Sequence, residues 1–247
     1  MAELDWLGVI RHGESTGNVA AEAAEATGAE VIDIPERDAD VPLSDTGREQ
    51  AAAVGRWLAD LPAERRPQLI VVSPYLRARQ TAALTVHNLA EQGVGIPAVA
   101  DERLRDRELG IIDLLTHRGV QARLPGEAAR RRRLGKFYYR PPGGEAWTDV
   151  LLRLRSLLRD LRRAHDGGRV LLIGHDAIVM LLRYLVEGLT EAELMTISRA
   201  TTIANCSITS WRRAGGELVP ELFNFVDHLH REGARPTRQE NVGVQTG

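Results

Sequence analysis

His12 and His175 are the residues around which chemistry can be built. His12 follows Arg11 at the end of the apolar run Leu7-Gly8-Val9-Ile10, and His175 follows Gly174 at the end of Val170-Leu171-Leu172-Ile173. A third polar turn, from Ser73 through Arg77 to Arg79, closes the run Leu69-Ile70-Val71-Val72. Such runs read as buried strands, and polar turns at the carboxyl ends of strands in one parallel sheet gather at one edge. A neutral imidazole gathered there is a nucleophile, guanidinium groups hold phosphoryl oxygens, and a carboxyl protonates a leaving alkoxide. Two histidines, several arginines and nearby acids therefore point to phosphoryl transfer. A histidine after a strand is more often a packing residue than a reacting one, so neither residue carries the reading alone.

The elements that must position these groups follow from pattern. A helix is expected across residues 19–29, a second opens at Ser44 and stops at Pro62, and a third runs from about Leu76 to Glu91. Val150, Leu151, Leu154, Leu157, Leu158 and Leu161 have the spacing of an amphipathic helix, and another helix over 177–187 follows His175. Residues 94–99, 207–211 and 217–225 read as further strands. Strands alternating with helices predict an α/β fold, a single-domain three-layer α/β/α sandwich with a mostly parallel sheet. In this reading residues 1–230 form the catalytic domain. An irregular, strongly charged insertion at about 103–147 covers the site, and 231–247 is a flexible tail.

The chain has 247 residues, 43% of them hydrophobic, enough to bury one large core. A net charge of −2 gives no general attraction to nucleic acid or membranes. No apolar run approaches the roughly 20 residues that span a bilayer. The first residues lack the basic start and long apolar core of a secretion signal, and the single cysteine, Cys206, has no internal disulfide partner. The expectation is a cytoplasmic protein that acts on a small phosphorylated substrate and binds neither nucleic acid nor membrane; the oligomeric state is left open. Lys136 is the only lysine among 32 basic residues. The run Arg130-Arg131-Arg132-Arg133 reads as a solvated face, and Phe137-Tyr138-Tyr139 as packing.

The quoted turns, with their neighbours, resemble the histidine phosphatase superfamily in its phosphoglycerate mutase-like branch 1. Its Arg-His-Gly-Glu-x-x-x-Asn signature stands as Arg11-His12-Gly13-Glu14-Ser15-Thr16-Gly17-Asn18. Pro42-Leu43-Ser44-Asp45-Thr46-Gly47 is similar to a family helix start, and Ser73-Pro74-Tyr75-Leu76-Arg77-Ala78-Arg79-Gln80-Thr81-Ala82 to the segment that makes Arg77, not Arg79, the phosphate-binding arginine. Gly174-His175 matches the second histidine and Asn205-Cys206-Ser207 a late asparagine turn, so the resemblance covers residues 7–211. It implies a phosphohistidine on His12 that water then cleaves, with Arg11, Arg77 and His175 on the phosphoryl oxygens. Asn18, Glu14 and Asn205 are the further candidates for phosphate or substrate binding, and no metal or cofactor is implied.

The proton donor is where the sequence departs from the family pattern. Leu104-Arg105-Asp106-Arg107-Glu108-Leu109-Gly110 puts aspartate where glutamate is common, which makes Asp106 the first candidate and Glu108 a rival if the loop is shifted. Asp176 is a third, because a distant branch of the superfamily takes its donor from a His-Asp pair at this place. The resemblance favours a metal-independent phosphoric monoester hydrolase. A phosphoglycerate mutase-type phosphotransferase is the alternative, but residues 109–115 lack the lysine-bearing segment by which mutases grip their substrate. A non-catalytic phosphate-binding or scaffolding protein is the third reading.

Overall fold

In the computed structural model, which describes residues 2–239, the apolar runs become strands and the polar turns come together at their ends. The elements run β1 (Trp6–Arg11), α1 (Thr16–Thr27), α2 (Asp45–Asp60), β2 (Leu69–Val72), α3 (Leu76–Glu91), β3 (Ala98–Ala100), α4 (His117–Arg123), α5 (Pro125–Tyr138), α6 (Trp147–Ala164), β4 (Arg169–Gly174), α7 (Asp176–Glu187), α8 (Glu191–Ala200), β5 (Ile208–Ala214), β6 (Glu217–Phe225) and α9 (Asp227–Arg231). The strands form one sheet in the order β3-β2-β4-β1-β5-β6. The first four in that order are parallel, and β5 and β6 add an antiparallel edge. This is the single-domain α/β fold expected from the alternating pattern.

The central strands read as near-continuous apolar runs because both of their faces are covered. Leu7, Val9, Val170 and Leu172 pack with the leucines of α6 and with Ile178, Val179 and Leu182 of α7. Ile10, Ile70, Val72, Leu171 and Ile173 face the other way, onto Val54 and Leu58 of α2 and Leu89 of α3. Burying each such side chain contributes about 1.5–3 kcal/mol, so the two clusters fix the register of the sheet. That register sets Ile10 opposite Ile173 and Arg11 opposite Gly174, which aligns the carboxyl ends of β1 and β4.

Three differences from the sequence reading have physical causes. The stretch read as irregular holds α4 and α5, which bury only a few side chains each, among them Val120, Ala128 and Phe137, and so show little apolar periodicity. The helix α8 was not anticipated; it is anchored chiefly by Leu194 and capped by a Thr190–Glu193 box. The expected tail from 231 onward is packed as far as residue 239: Ala234 is buried, Thr237 O accepts from Asn205 N at 3.0 Å, and Arg238 bridges to Ala204. Its remainder, 240–247, lies outside the described residues. No helix among the described residues is long and apolar enough to cross a membrane.

Candidate active site

The polar turns continue the hydrogen bonding of the strands they follow. His12 N donates to Gly174 O at 2.9 Å and Ser73 N donates to Ile173 O at 2.9 Å, so both turns are tied to the end of β4. His175 is the residue that leaves β4. The two imidazoles consequently meet edge to face, with centroids 5.2 Å apart and planes at 61°. Both are almost completely buried.

The backbone after His12 is held by close packing against α2. Ser44 N donates to Glu14 O, and Ser44 Oγ caps α2 at Gly47 N while donating to Glu14 Oε1 at 2.6 Å. A side chain at Gly47 would put its Cβ 2.0 Å from Glu14 O, so glycine is required there by contact rather than by conformation. Ser15 caps α1 and exchanges hydrogen bonds with Asn18, N to Oδ1 and N to Oγ, both at 3.1 Å. From the far end of the chain, Asn205 Nδ2 donates to His12 O at 3.0 Å and to Asn18 Oδ1 at 3.2 Å.

His12 Nδ1 lies 2.7 Å from Gly13 O. With the proton on Nδ1 donated to that carbonyl, Nε2 keeps its lone pair, and Arg77 Nε–H donates to it at 3.2 Å. Burial first, then the charge of Arg77, the competing protonation of His175 and the charge of Arg11, hold the ring well below the ordinary histidine pKa, so it is neutral and able to act as a nucleophile. Arg77 is held in turn by Asp38 at 2.9 Å and Asp106 at 3.0 Å. Arg11 donates to Ile203 O, and its Nε has no partner among the described residues.

His175 Nε2 lies 2.8 Å from Ser73 Oγ, which accepts from Tyr75 N at 3.3 Å. With the Ser73 hydroxyl donating to Nε2, His175 carries its proton on Nδ1 and turns it toward Asp106 Oδ2, 3.1 Å away though poorly aligned for a hydrogen bond. Burial lowers the pKa of His175 against the pull of Asp106. Asp106 is ionised: burial opposes this, but His175 and Arg77 outweigh it and hold the carboxyl well below the usual range. Its main chain is fixed by Arg153 of α6, which donates to Asp106 O at 3.0 Å.

These groups open onto a cavity of about 180 Å³. Arg11, His12, Asn18, Arg77 and Asp106 line it, as does Asp176, the first residue of α7. Burial raises the pKa of Asp176 over the opposition of Arg11 and Lys136. His175 reaches the cavity wall through its contact with Asp106. Glu14 and Asn205 do not line it; they are spent on Ser44 and on His12 O, positioning the loop instead of facing a ligand. Glu108 also lies outside, on the surface, accepting from Tyr75 OH at 2.8 Å.

Several contributors were not legible as site residues. Asp38 sits in the acidic connector and carries no motif. Ser73 lies inside a recognised segment without an assigned role. Arg131, inside the run read as a solvated face, turns into the cavity while Arg130, Arg132 and Arg133 stay exposed. Lys136 and Arg107 line the cavity as well, and only the singularity of that lysine marked it in the sequence. Among the described residues no cluster of three or more His, Cys, Asp or Glu side chains is arranged to hold a metal ion.

Comparison with known proteins gives a consistent picture. The sequence model of the histidine phosphatase superfamily (branch 1) matches residues 7–226. The chain is 31% identical to a glucosyl-3-phosphoglycerate phosphatase of Mycolicibacterium vanbaalenii over 85% of its own length and 84% of that protein's. It is 32% identical to fructose-2,6-bisphosphatase TIGAR B of Danio rerio over 96% and 93% of the two chains. Among solved structures, a mycobacterial glucosyl-3-phosphoglycerate phosphatase in complex with VO3 superposes with a TM-score of 0.68 at 27% identity, covering 89% of this chain and 99% of the other.

Proposed function

The chain belongs to the histidine phosphatase superfamily, branch 1, and from that premise we propose that it hydrolyses phosphate monoesters through a phosphohistidine on His12. The observation that carries the reading is the neutral, buried His12, whose unprotonated Nε2 accepts from Arg77 Nε at the edge of the cavity. Arg11 and Arg77 hold the phosphoryl oxygens, and His175 donates from Nδ1 to the same group, so that charge developing in transfer meets fixed donors. His12 Nε2 gives its lone pair to phosphorus as the bond to the leaving oxygen breaks. Water then forms a new P–O bond, the P–N bond breaks, and neutral His12 is restored.

The leaving oxygen takes its proton from Asp106. In the free protein this carboxyl is ionised by Arg77 and His175. An arriving phosphate dianion takes both partners and sets a negative charge beside Asp106, which raises its pKa, so that the carboxylate takes up a proton from solvent as the substrate binds and passes it to the alkoxide. The Asp106 carboxylate then receives a proton from the attacking water. Asp176 offers a second reading for this step, because it lines the same cavity and burial already pushes its pKa up. The buried, unpaired thiol of Cys206 supports a reducing, cytoplasmic setting.

The deciding experiment is phosphate release from p-nitrophenyl phosphate in EDTA by the unmodified chain and by His12→Ala, with acid-labile, base-stable phosphoenzyme trapped by rapid quench. Chelator-resistant release and a trapped phosphoenzyme, both absent in His12→Ala, are expected. Release that survives the substitution would remove His12 as the nucleophile.

A further inference from the structure

The main chain that carries Asp106 is tied to two side chains that do not line the cavity, Arg153 and Glu145. Arg153 uses all five of its guanidinium N–H groups. Nη1 donates to Arg103 O at 2.6 Å and to Arg105 O at 2.9 Å, and Nη2 donates to Asp106 O and to Glu145 Oε2, both at 3.0 Å. Nε donates to Glu145 Oε1 at 3.1 Å. Glu145 reaches the rest of the segment: Oε1 accepts from Arg105 Nη2 at 2.8 Å and Oε2 from Glu108 N at 3.2 Å. Its main chain adds two bonds, with Glu145 N donating to Glu108 O at 2.9 Å and Arg107 Nε donating to Glu145 O at 2.7 Å. Residues 103 and 105 to 108 therefore all bond to Arg153 or Glu145.

Stability alone does not account for this pair. The side chains of Arg153 and Glu145 are only 9% and 14% exposed, and stripping such ions of water costs about as much as their attraction returns, so two apolar side chains would serve a core as well. Apolar side chains could not hold three carbonyls at fixed distances. Arg153 is itself placed by a rigid element, since its neighbours Val150, Leu154 and Leu157 are buried in the core, and Leu104 packs into the same cluster. At the other end, Asp106 Oδ2 lies 3.0 Å from Arg77 Nη2 and 3.1 Å from His175 Nδ1, and Oδ1 accepts from Arg107 N at 2.8 Å. An aspartate has one methylene between main chain and carboxyl, so its carboxyl has little reach of its own and follows the backbone.

We propose that Arg153 and Glu145 are positioning residues for the proton donor: acting through the main chain of 103–108, they set the place of the Asp106 carboxyl and so the rate with substrates whose leaving oxygen needs a proton. The proposal rests on the hydrolase reading and on Asp106 as the donor. Lysine is no substitute at 153, because an ammonium has three donors and no planar fork to span both the carbonyls and the Glu145 carboxylate. A misplacement of about 1 Å at a reacting group can cost about a hundredfold in rate.

The test compares kcat/KM on an alkyl phosphate, which needs the proton, with that on p-nitrophenyl phosphate, whose leaving group departs without it. Arg153→Lys should lose about 10–100-fold on the alkyl ester and less than about threefold on the nitrophenyl ester. Glu145→Gln, which keeps the side-chain volume, should show the same selectivity, so a poorly folded Arg153→Lys does not shield the proposal. Arg155→Gln, an exposed change on the same helix, should alter neither rate. In an Asp106→Asn background Arg153→Lys should add at most about a twofold further loss, because the group it positions is gone. Equal losses on the two esters, or a selective loss that persists in that background, would overturn the proposal. A second readout needs no turnover and so stands apart from the hydrolase reading. In protein labelled with carboxyl-13C aspartate, the Asp106 resonance, assigned by its absence in Asp106→Asn, should titrate well below the usual carboxylate range in the unmodified chain. It should move up toward that range in Arg153→Lys, as the carboxyl leaves Arg77 and His175; an unmoved titration would overturn the proposal as well.

Discussion

At the scale of single residues, the site separates two imidazoles by their partners. Gly13 O accepts from His12 Nδ1 and leaves Nε2 unprotonated, while the Ser73 hydroxyl donates to Nε2 of His175 and turns its Nδ1 proton toward Asp106. Protonating His12 would remove its lone pair, and its pKa is depressed, so activity should persist as pH falls through 6.5 and decline only well below it. A kcat/KM profile with its acid limb at or above 6.5 would contradict that assignment. The proton donor is identified by leaving group: p-nitrophenolate departs without help, an alkoxide does not. Asp106→Asn should lower kcat/KM on an alkyl phosphate by about 10²–10⁴-fold and on p-nitrophenyl phosphate far less, whereas the same selective loss in Asp176→Asn would transfer the role. The strand-end residues were legible because an apolar run broken by Arg-His or Gly-His has a definite address in an α/β fold. Asp38 was not, because its place beside Arg77 depends on how a connector without periodicity lies across the sheet edge. Glu14 and Asn205 sit in recognisable segments, but their sequence position could not tell a side chain facing a ligand from one holding the loop.

At the scale of elements, α2 acts on the nucleophile through backbone contact. Its first turn touches Glu14 O at Gly47, so Gly47→Ala must push the loop away from its seat. We expect a loss of about 1–3 kcal/mol in stability, read as a lower urea midpoint at unchanged m, together with a fall in kcat. Unchanged activity would mean that the loop moves without carrying His12 along. The strands β1, β2 and β4 and the helix α6 were legible because each buries apolar side chains in a recognisable run or spacing. α4 and α5 bury too little for a pattern to form, and the break at Gly135, which turns Lys136 relative to Arg131, has backbone angles that no apolar spacing encodes.

At the scale of the whole molecule, the last described residues return to the first loop. Gln50 Nε2 donates to Arg235 O at 2.8 Å and to Thr237 Oγ1 at 2.9 Å, and Thr237 Oγ1 donates to Asn205 Oδ1 at 3.1 Å. Gln50 and Asn205 are fully buried, so ending the chain at Arg231 leaves polar groups unpaired at about 1–3 kcal/mol each. The shortened protein should melt earlier and lose kcat, since Asn205 supports His12 O; a truncated chain with full activity would separate that strap from the site. The pairing of β1 with β4 has a further consequence. His12 and His175 are neighbours in space yet are separated by most of the chain, and they meet only when the first strand is hydrogen-bonded beside a strand made long after it. Local helix formation does not bring the two histidines together, and closing so long a loop is a slow, late event in folding. During refolding, helical circular dichroism should therefore recover before phosphatase turnover does, and a chain with β1 unpaired, though it holds both histidines, should show no activity.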